Sequence, residues 1–193
     1  MIHSEKNNAP EHRPFLGAFE LALFMKSSIE RFPSSRKAAL KSFLVPLGLL
    51  FLWVYPFSVV PTDILGERTY PELILMHLMV LCLHFPLTCL LLWYLLIHLD
   101  KTDRFWRMVS IFNYANLIGF TVTAPLLITV LNGHHTWDEI FSALILISYY
   151  EVGIMAYALT RGLSVPWQFG TGLAFLSTFI WDGAWTTVFS IMS

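Results

Sequence analysis

Residues 73–99 form a run of 27 residues that contains no Asp, Glu, Lys or Arg. About 20 apolar residues are enough to cross the hydrocarbon core of a bilayer as a helix, so the run predicts a transmembrane helix. The polar segment 100–107 follows directly and contains three basic residues. Because basic residues are enriched on the cytoplasmic side of membrane proteins, this end of the helix is predicted to be cytoplasmic.

The composition agrees with a membrane protein. The chain is 56% hydrophobic and 13% charged, with a mean hydropathy of +0.62, whereas soluble domains are about one-quarter charged. The formal net charge is −1. Binding to nucleic acid would need a clustered basic face, so no nucleic-acid partner is predicted.

The same pattern of apolar segments predicts an all-α integral membrane protein with five transmembrane helices, preceded by an amphipathic interfacial helix. The spans are predicted at about residues 43–60, 73–99, 106–131, 140–160 and 167–192. The loops between the later spans are short, which leaves no room for a soluble domain.

Two segments precede the first span. Residues 1–13 are polar and are predicted to be a disordered cytoplasmic tail, and residues 14–42 are predicted to form amphipathic and juxtamembrane helices. In residues 14–32, apolar side chains at helical spacing alternate with charges, which predicts a helix at the cytoplasmic membrane surface. Four basic residues would then lie near the lipid headgroups: Lys26, Arg31, Arg36 and Lys37. The alternative is a helix packed on the protein's own cytoplasmic face.

Polar residues inside the spans are the candidate functional residues, because burying them in lipid is costly. They are Asp182, His84, Glu151, Asn113, Asn116, Thr178 and Thr186. At about 1.5 Å per residue from the cytoplasmic ends, Asp182 and His84 lie at one depth and Glu151 and Asn116 at another. These two pairs are predicted contacts, with Thr178 and Thr186 donating hydrogen bonds to Asp182. Such groups form either a proton or ion path or the hydrogen bonds that hold helices together.

No enzyme class, metal site or cofactor is predicted. The histidines inside the spans, His77, His84 and His98, all belong to the second span, so they cannot hold a haem between two helices. The His-Glu-x-x-His motif of zinc proteases and the Gly-x-Ser-x-Gly turn of serine hydrolases are absent from the sequence. An intramembrane aspartyl dyad would need a second Asp beside Asp182.

Small residues predict which helices pack closely. Gly170, Ala174 and Ser177 share one side of the fifth span, and Gly153 and Ala156 mark the fourth. Small side chains let helix backbones approach within membranes, so the fourth and fifth spans are predicted to pair.

The third span contains YANLIGFTVTAPLL at residues 114–127, and the fourth contains Gly153-Ile154-Met155-Ala156 before Arg161-Gly162. With five spans, this pattern resembles the Yip1 family over about residues 19–189. The resemblance implies a non-enzymatic membrane protein, since eukaryotic relatives act in vesicle traffic and contact small GTPases. This chain lacks the long acidic N-terminal region of many such relatives. A bacterial inner-membrane member that does not bind a GTPase is therefore expected.

Two functions follow as hypotheses. The first is a non-enzymatic protein of the inner membrane, or of an endomembrane in a eukaryote, that binds or organises other membrane components or itself. The second is a small proton- or ion-coupled transporter, or an accessory subunit of a membrane complex, that uses Asp182, His84 and Glu151. A transporter needs unsealed polar groups along a path, whereas a scaffold needs its polar groups sealed in pairs.

The distribution of basic residues gives a testable topology. Eleven of the twelve Lys and Arg residues lie before the first span, in the second loop or at Arg161, and only Arg68 lies on the opposite side. The positive-inside rule then places the N-terminus in the cytoplasm and the C-terminus outside. Reporter fusions after Arg36 and Arg104 should report cytoplasm, and fusions after Asn132 and Ser193 the opposite side. A cytoplasmic C-terminus would contradict the five-span topology.

Overall fold

The computed structural model describes residues 12–57 and 68–192, which form helices joined by turns. Residues 1–11, which make up most of the predicted N-terminal tail, lie outside the described residues. We number the α-helices as follows: α1 Pro14–Ala22, α2 Arg36–Ser42, α3 Leu44–Phe57, α4 Tyr70–His98, α5 Phe105–Leu131, α6 Trp137–Leu163 and α7 Trp167–Met192. Short 3-10 helices cover Lys26–Arg31 and Thr102–Arg104.

Within the described residues, three helices are long and apolar enough to cross a membrane: α4, α5 with its preceding 3-10 turn, and α6. The protein is therefore all-helical with at least these three candidate spans. Helices α3 and α7 coincide with the first and fifth predicted spans, but the end of the first span lies outside the described residues. Helix α7 has 26 residues but is not one of these three candidate spans.

Side chains at the helix starts explain where several helices begin. Thr69 and Glu72 form a capping box at the start of α4, and Thr136 and Glu139 form another at the start of α6. In such a box each side chain bonds a backbone N–H that the helix leaves without a partner. Ser35 accepts a hydrogen bond from the Ala38 N–H and caps α2.

The five long helices form a closed ring in the order α3, α4, α7, α6, α5, and each packs against its two neighbours in that order. The α4–α5 and α6–α7 connections lie at one end, which we call the basic end because it carries Lys101, Arg104 and Arg161. The α5–α6 connection lies at the opposite end.

The predicted pairing of the fourth and fifth spans is confirmed, because α6 and α7 make the most extensive contact between two helices of the described chain. A methyl group at Gly170 would lie 2.9 Å from the Ala156 carbonyl oxygen and against the Thr160 hydroxyl. Glycine is therefore required for this close approach. The interpretation of Gly153 was wrong, since its neighbour is the Phe24 ring at 3.9 Å and not α7.

Residues 14–32 form a folded-back segment, which we call the N-terminal hairpin. Its chain reverses at Phe24, where φ is +54°, so the single helix predicted for residues 14–32 was wrong. The reversal brings Arg31 Nη2 within 3.2 Å of Glu20 Oε1, and Ser27 donates a hydrogen bond of 2.9 Å to Glu20 Oε2. In a continuous helix, residues eleven positions apart would lie about 16 Å apart along the axis.

The hairpin packs on α5 and α6 with its inner side. Ala18, Leu21 and Phe32 are buried in the same core cluster as residues of α5 and α6, which confirms the alternative of packing on the protein itself. The outer side exposes Phe15 and Phe19, which are 66% and 63% exposed. Arg31, predicted near lipid headgroups, instead belongs to the ion pair with Glu20.

Gly170→Ala should destabilise the fold, because its added methyl group meets the rigid α6 backbone. Overpacking of this kind costs about 1–3 kcal/mol. Gly172→Ala is a matched control on the same helix, since no atom lies within 4 Å of the added methyl group. Thermal unfolding in detergent should show a lower midpoint for Gly170→Ala alone; equal midpoints would contradict the close contact.

Glu20 gives a pH-dependent prediction. The hydrogen bond from the Arg31 guanidinium holds the pKa of Glu20 below its usual 4.5, although burial alone would raise this pKa. The hydrogen bond from the Ser27 hydroxyl adds to the lowering. A lowered folded-state pKa contributes stability that is present above the unfolded value and is lost as the pH falls through the folded value.

Wild-type unfolding midpoints should therefore fall as the pH is lowered from about 7 to about 3, while Glu20→Gln starts lower and changes less. Asp100→Asn removes an exposed carboxylate from the α4–α5 turn and should preserve the wild-type pH profile. Parallel profiles for wild type and Glu20→Gln would show that the ion pair contributes nothing.

Candidate functional site

The ring of helices surrounds a half-open cavity of about 510 Å³ to which all five long helices contribute side chains. This volume lies in the range of pockets that hold small molecules. Aromatic rings make up much of the wall, from Phe43, Phe85, Phe112, Trp137, Trp181 and Trp185. We call this space the central cavity.

Most of the predicted functional residues lie around this one cavity. Asp182, His84, Glu151, Asn113, Asn116 and Thr178 all line it, together with His77, Thr88 and Thr123. Thr186 is exposed and is not among the lining residues. The sequence thus identified the polar residues that the fold brings together, although it assigned them the wrong partners.

His84 and Asp182 come from adjacent helices, as predicted, since α4 packs against α7. The His84 ring contacts the Trp181 ring, with centroids 5.1 Å apart, and no ion pair joins His84 to Asp182 among the described residues. Asp182 follows Trp181 by about 100° around the helix, so it lies at the flank of the inward face. Asp182 is exposed, which places it at the edge of the central cavity.

Glu151 lies inside the cavity wall between α5 and α6. Its Oε1 atom lies 3.5 Å from the Thr123 hydroxyl, which donates the hydrogen bond. A methyl group at Gly119 would lie 2.9 Å from the same oxygen, so Gly119 leaves the space that this carboxyl group occupies. The predicted contact with Asn116 was wrong, since Asn116 Nδ2 donates to the Phe112 carbonyl oxygen at 2.9 Å.

Several other predicted polar residues bond to backbone or to a short side chain nearby. Asn113 is 1% exposed, and its Nδ2 donates to Ser42 Oγ at 2.8 Å, which ties α5 to the end of α2. Thr178 donates to the Ala174 carbonyl oxygen and Thr186 to that of Asp182. These helix carbonyls are the nearest acceptors, so the predicted bonds to the Asp182 carboxyl group are absent.

Two of the α4 residues that line the cavity each have a buried polar atom without a hydrogen bond. These atoms are His84 Nδ1 and Thr88 Oγ1, and Thr88 is only 6% exposed. They lie four residues apart, which puts them on the same face of the helix. Sequence reasoning missed Thr88, although its spacing from His84 was a usable signal. Buried polar groups without partners are costly, so such pairs commonly mark a site where a ligand or water binds.

In the part of the chain that the structure describes, no three His, Cys, Asp or Glu side chains gather closely enough to hold a metal ion. Comparison with protein families, curated proteins and solved structures finds no match.

Proposed function

We propose that this chain is a five-span membrane protein whose central cavity binds a small organic cation, as a transporter or as a binding subunit of a membrane complex. The observation that carries the proposal is the set of polar groups around one half-open cavity. A scaffold would seal these groups in pairs, whereas His84 Nδ1 and Thr88 Oγ1 have no partner in the described chain.

The charge of the cavity favours a cation. Glu151 and Asp182 both line it, and no Lys or Arg is among its lining residues. The aromatic residues Phe85, Trp181 and Trp185 line the same cavity. A cation over an aromatic ring gains electrostatic attraction, and more so where water is excluded. An anion would instead face two carboxyl groups and the negative faces of the rings.

Two observations support five spans. Helix α7 closes the ring by contacting both α4 and α6, and its residues Ser177, Thr178 and Asp182 line the cavity. Polar residues in a membrane helix are tolerated when they face a bundle interior or a cavity. With the eleven-to-one distribution of basic residues, this supports an N-terminus inside and a C-terminus outside, in a bacterial inner membrane or a eukaryotic endomembrane.

The N-terminal hairpin suits a position in the membrane interface. Phe15 packs on Tyr114, with ring centroids 5.3 Å apart, and Tyr114 lies about 13 Å along α5 from its start at Phe105. Exposed aromatic side chains at that depth would meet lipid chains below the headgroups. The same exposed surface is what favours the second candidate, a protein that binds other membrane proteins in the manner the Yip1 resemblance implies.

Tetraphenylphosphonium and tetraphenylborate provide matched probes, because they share a shape and differ in the sign of their charge. Quenching of tryptophan fluorescence in purified protein should show tighter binding of the cation. Asp182→Asn combined with Glu151→Gln should weaken cation binding by about tenfold, the effect of losing about 1.4 kcal/mol. Asp100→Asn, which removes a carboxylate outside the cavity, should have no effect.

Equal binding of the two probes, or unchanged cation binding by the double variant, would contradict the proposal. A double variant that binds the cation normally and unfolds at a lower temperature would show that the carboxyl groups only hold the helices together. That result would favour the scaffold function.

A further inference from the structure

A second cavity lies at the basic end, between the N-terminal hairpin, the start of α5 and the end of α6. It has a volume of about 460 Å³, and its charged lining residues are Lys26, Arg104, Arg107, Arg161, Glu30 and Asp103. We call it the basic pocket. It shares no lining residue with the central cavity.

The basic pocket carries two more positive than negative side chains. Its two carboxylates form no ion pair with the basic side chains of the pocket among the described residues. The nearby Glu20 is already bound to Arg31, so it does not neutralise the pocket. The excess of positive charge is therefore available to a ligand.

The basic side chains are held in place by contacts that leave donors unused. Arg104 Nη1 donates to the Gly162 carbonyl oxygen at 2.9 Å and to Ser164 Oγ at 2.7 Å. The Arg161 guanidinium lies 5.8 Å from the centre of the Tyr157 ring. Arg107 Nε is buried and has no hydrogen-bond partner. A buried guanidinium N–H without an acceptor is costly, so a bound acceptor would remove this cost.

We propose that the basic pocket binds a phosphate group, carried by an anionic lipid headgroup or by a soluble phosphate. A phosphate offers several acceptor oxygens and up to two negative charges, which match three guanidinium groups, one ammonium group and the excess charge of two. A carboxylate would satisfy fewer of these donors. The inference does not depend on cation binding in the central cavity.

The surroundings of the basic pocket suit a lipid as the source of the phosphate. Leu23, Phe24 and Met25 directly precede Lys26 and are all exposed, so an apolar surface adjoins the charged one. A headgroup in the basic pocket would leave its acyl chains beside these side chains. Basic pockets between membrane helices bind anionic headgroups in this way.

Three probes test the proposal on the full-length protein in detergent: short-chain phosphatidic acid, the corresponding diacylglycerol and inorganic phosphate. Affinities are measured by titration, with thermal unfolding recorded in parallel. Phosphatidic acid should bind at least tenfold more tightly than diacylglycerol, which lacks only the phosphate. Arg107→Gln should weaken phosphatidic acid binding by about tenfold. Arg161→Gln changes an exposed side chain of the pocket and should also weaken this binding.

Lys37→Gln is the matched control, because Lys37 is an exposed basic residue of α2 outside the pocket, and it should bind phosphatidic acid as the wild type does. If inorganic phosphate binds as tightly as phosphatidic acid and displaces it, the pocket binds a soluble phosphate. If inorganic phosphate does neither, the phosphate group is that of a lipid. Equal binding of phosphatidic acid and diacylglycerol would overturn the proposal. So would unchanged binding by Arg161→Gln.

Discussion

The close contact of α6 with α7 is the interaction on which the ring depends. Gly170 lets the α7 backbone approach the Ala156 carbonyl oxygen, and α7 then also reaches α4, which completes the ring. A larger residue at this position would push α7 outward and weaken its contact with α6. The contact of α4 with its other neighbour, α3, would remain. Glycine is needed here because it has no side chain and not because of its backbone freedom, since Gly170 lies within a regular helix.

The polar groups inside the ring divide into two sets by the acceptors within their reach. Thr178 and Asn116 bond to carbonyl oxygens one turn earlier in their own helices, which costs the fold little because those carbonyls are already placed. His84 Nδ1 and Thr88 Oγ1 have no such partner, and Glu151 has one long hydrogen bond. The residues of the second set all line the central cavity.

The basic end combines helix capping with charge. Lys101 and Arg104 donate to carbonyl oxygens at the end of α6, where a helix presents acceptors without partners and a partial negative charge. The N-terminal hairpin covers the same end and brings Lys26 into the same pocket as Arg104. Of the two carboxylates of the hairpin, Glu20 is neutralised by Arg31, and Glu30 lines the basic pocket. The basic pocket therefore keeps an excess of positive charge.

The sequence by itself determined the helical class and the positions of the long helices, because hydropathy over some 20 residues is a local property of the chain. It also identified Asp182, His84 and Glu151 as candidate functional residues, since the free-energy cost of placing a polar side chain in an apolar segment does not depend on the fold. Only the tertiary structure decided their partners. Depth along a helix places two residues at one level, but rotation about the axis decides whether they meet, and rotation is set by packing. The same reason explains residues 14–32, where the contact of Glu20 with Arg31, eleven positions away, favours a reversal over a continuous helix.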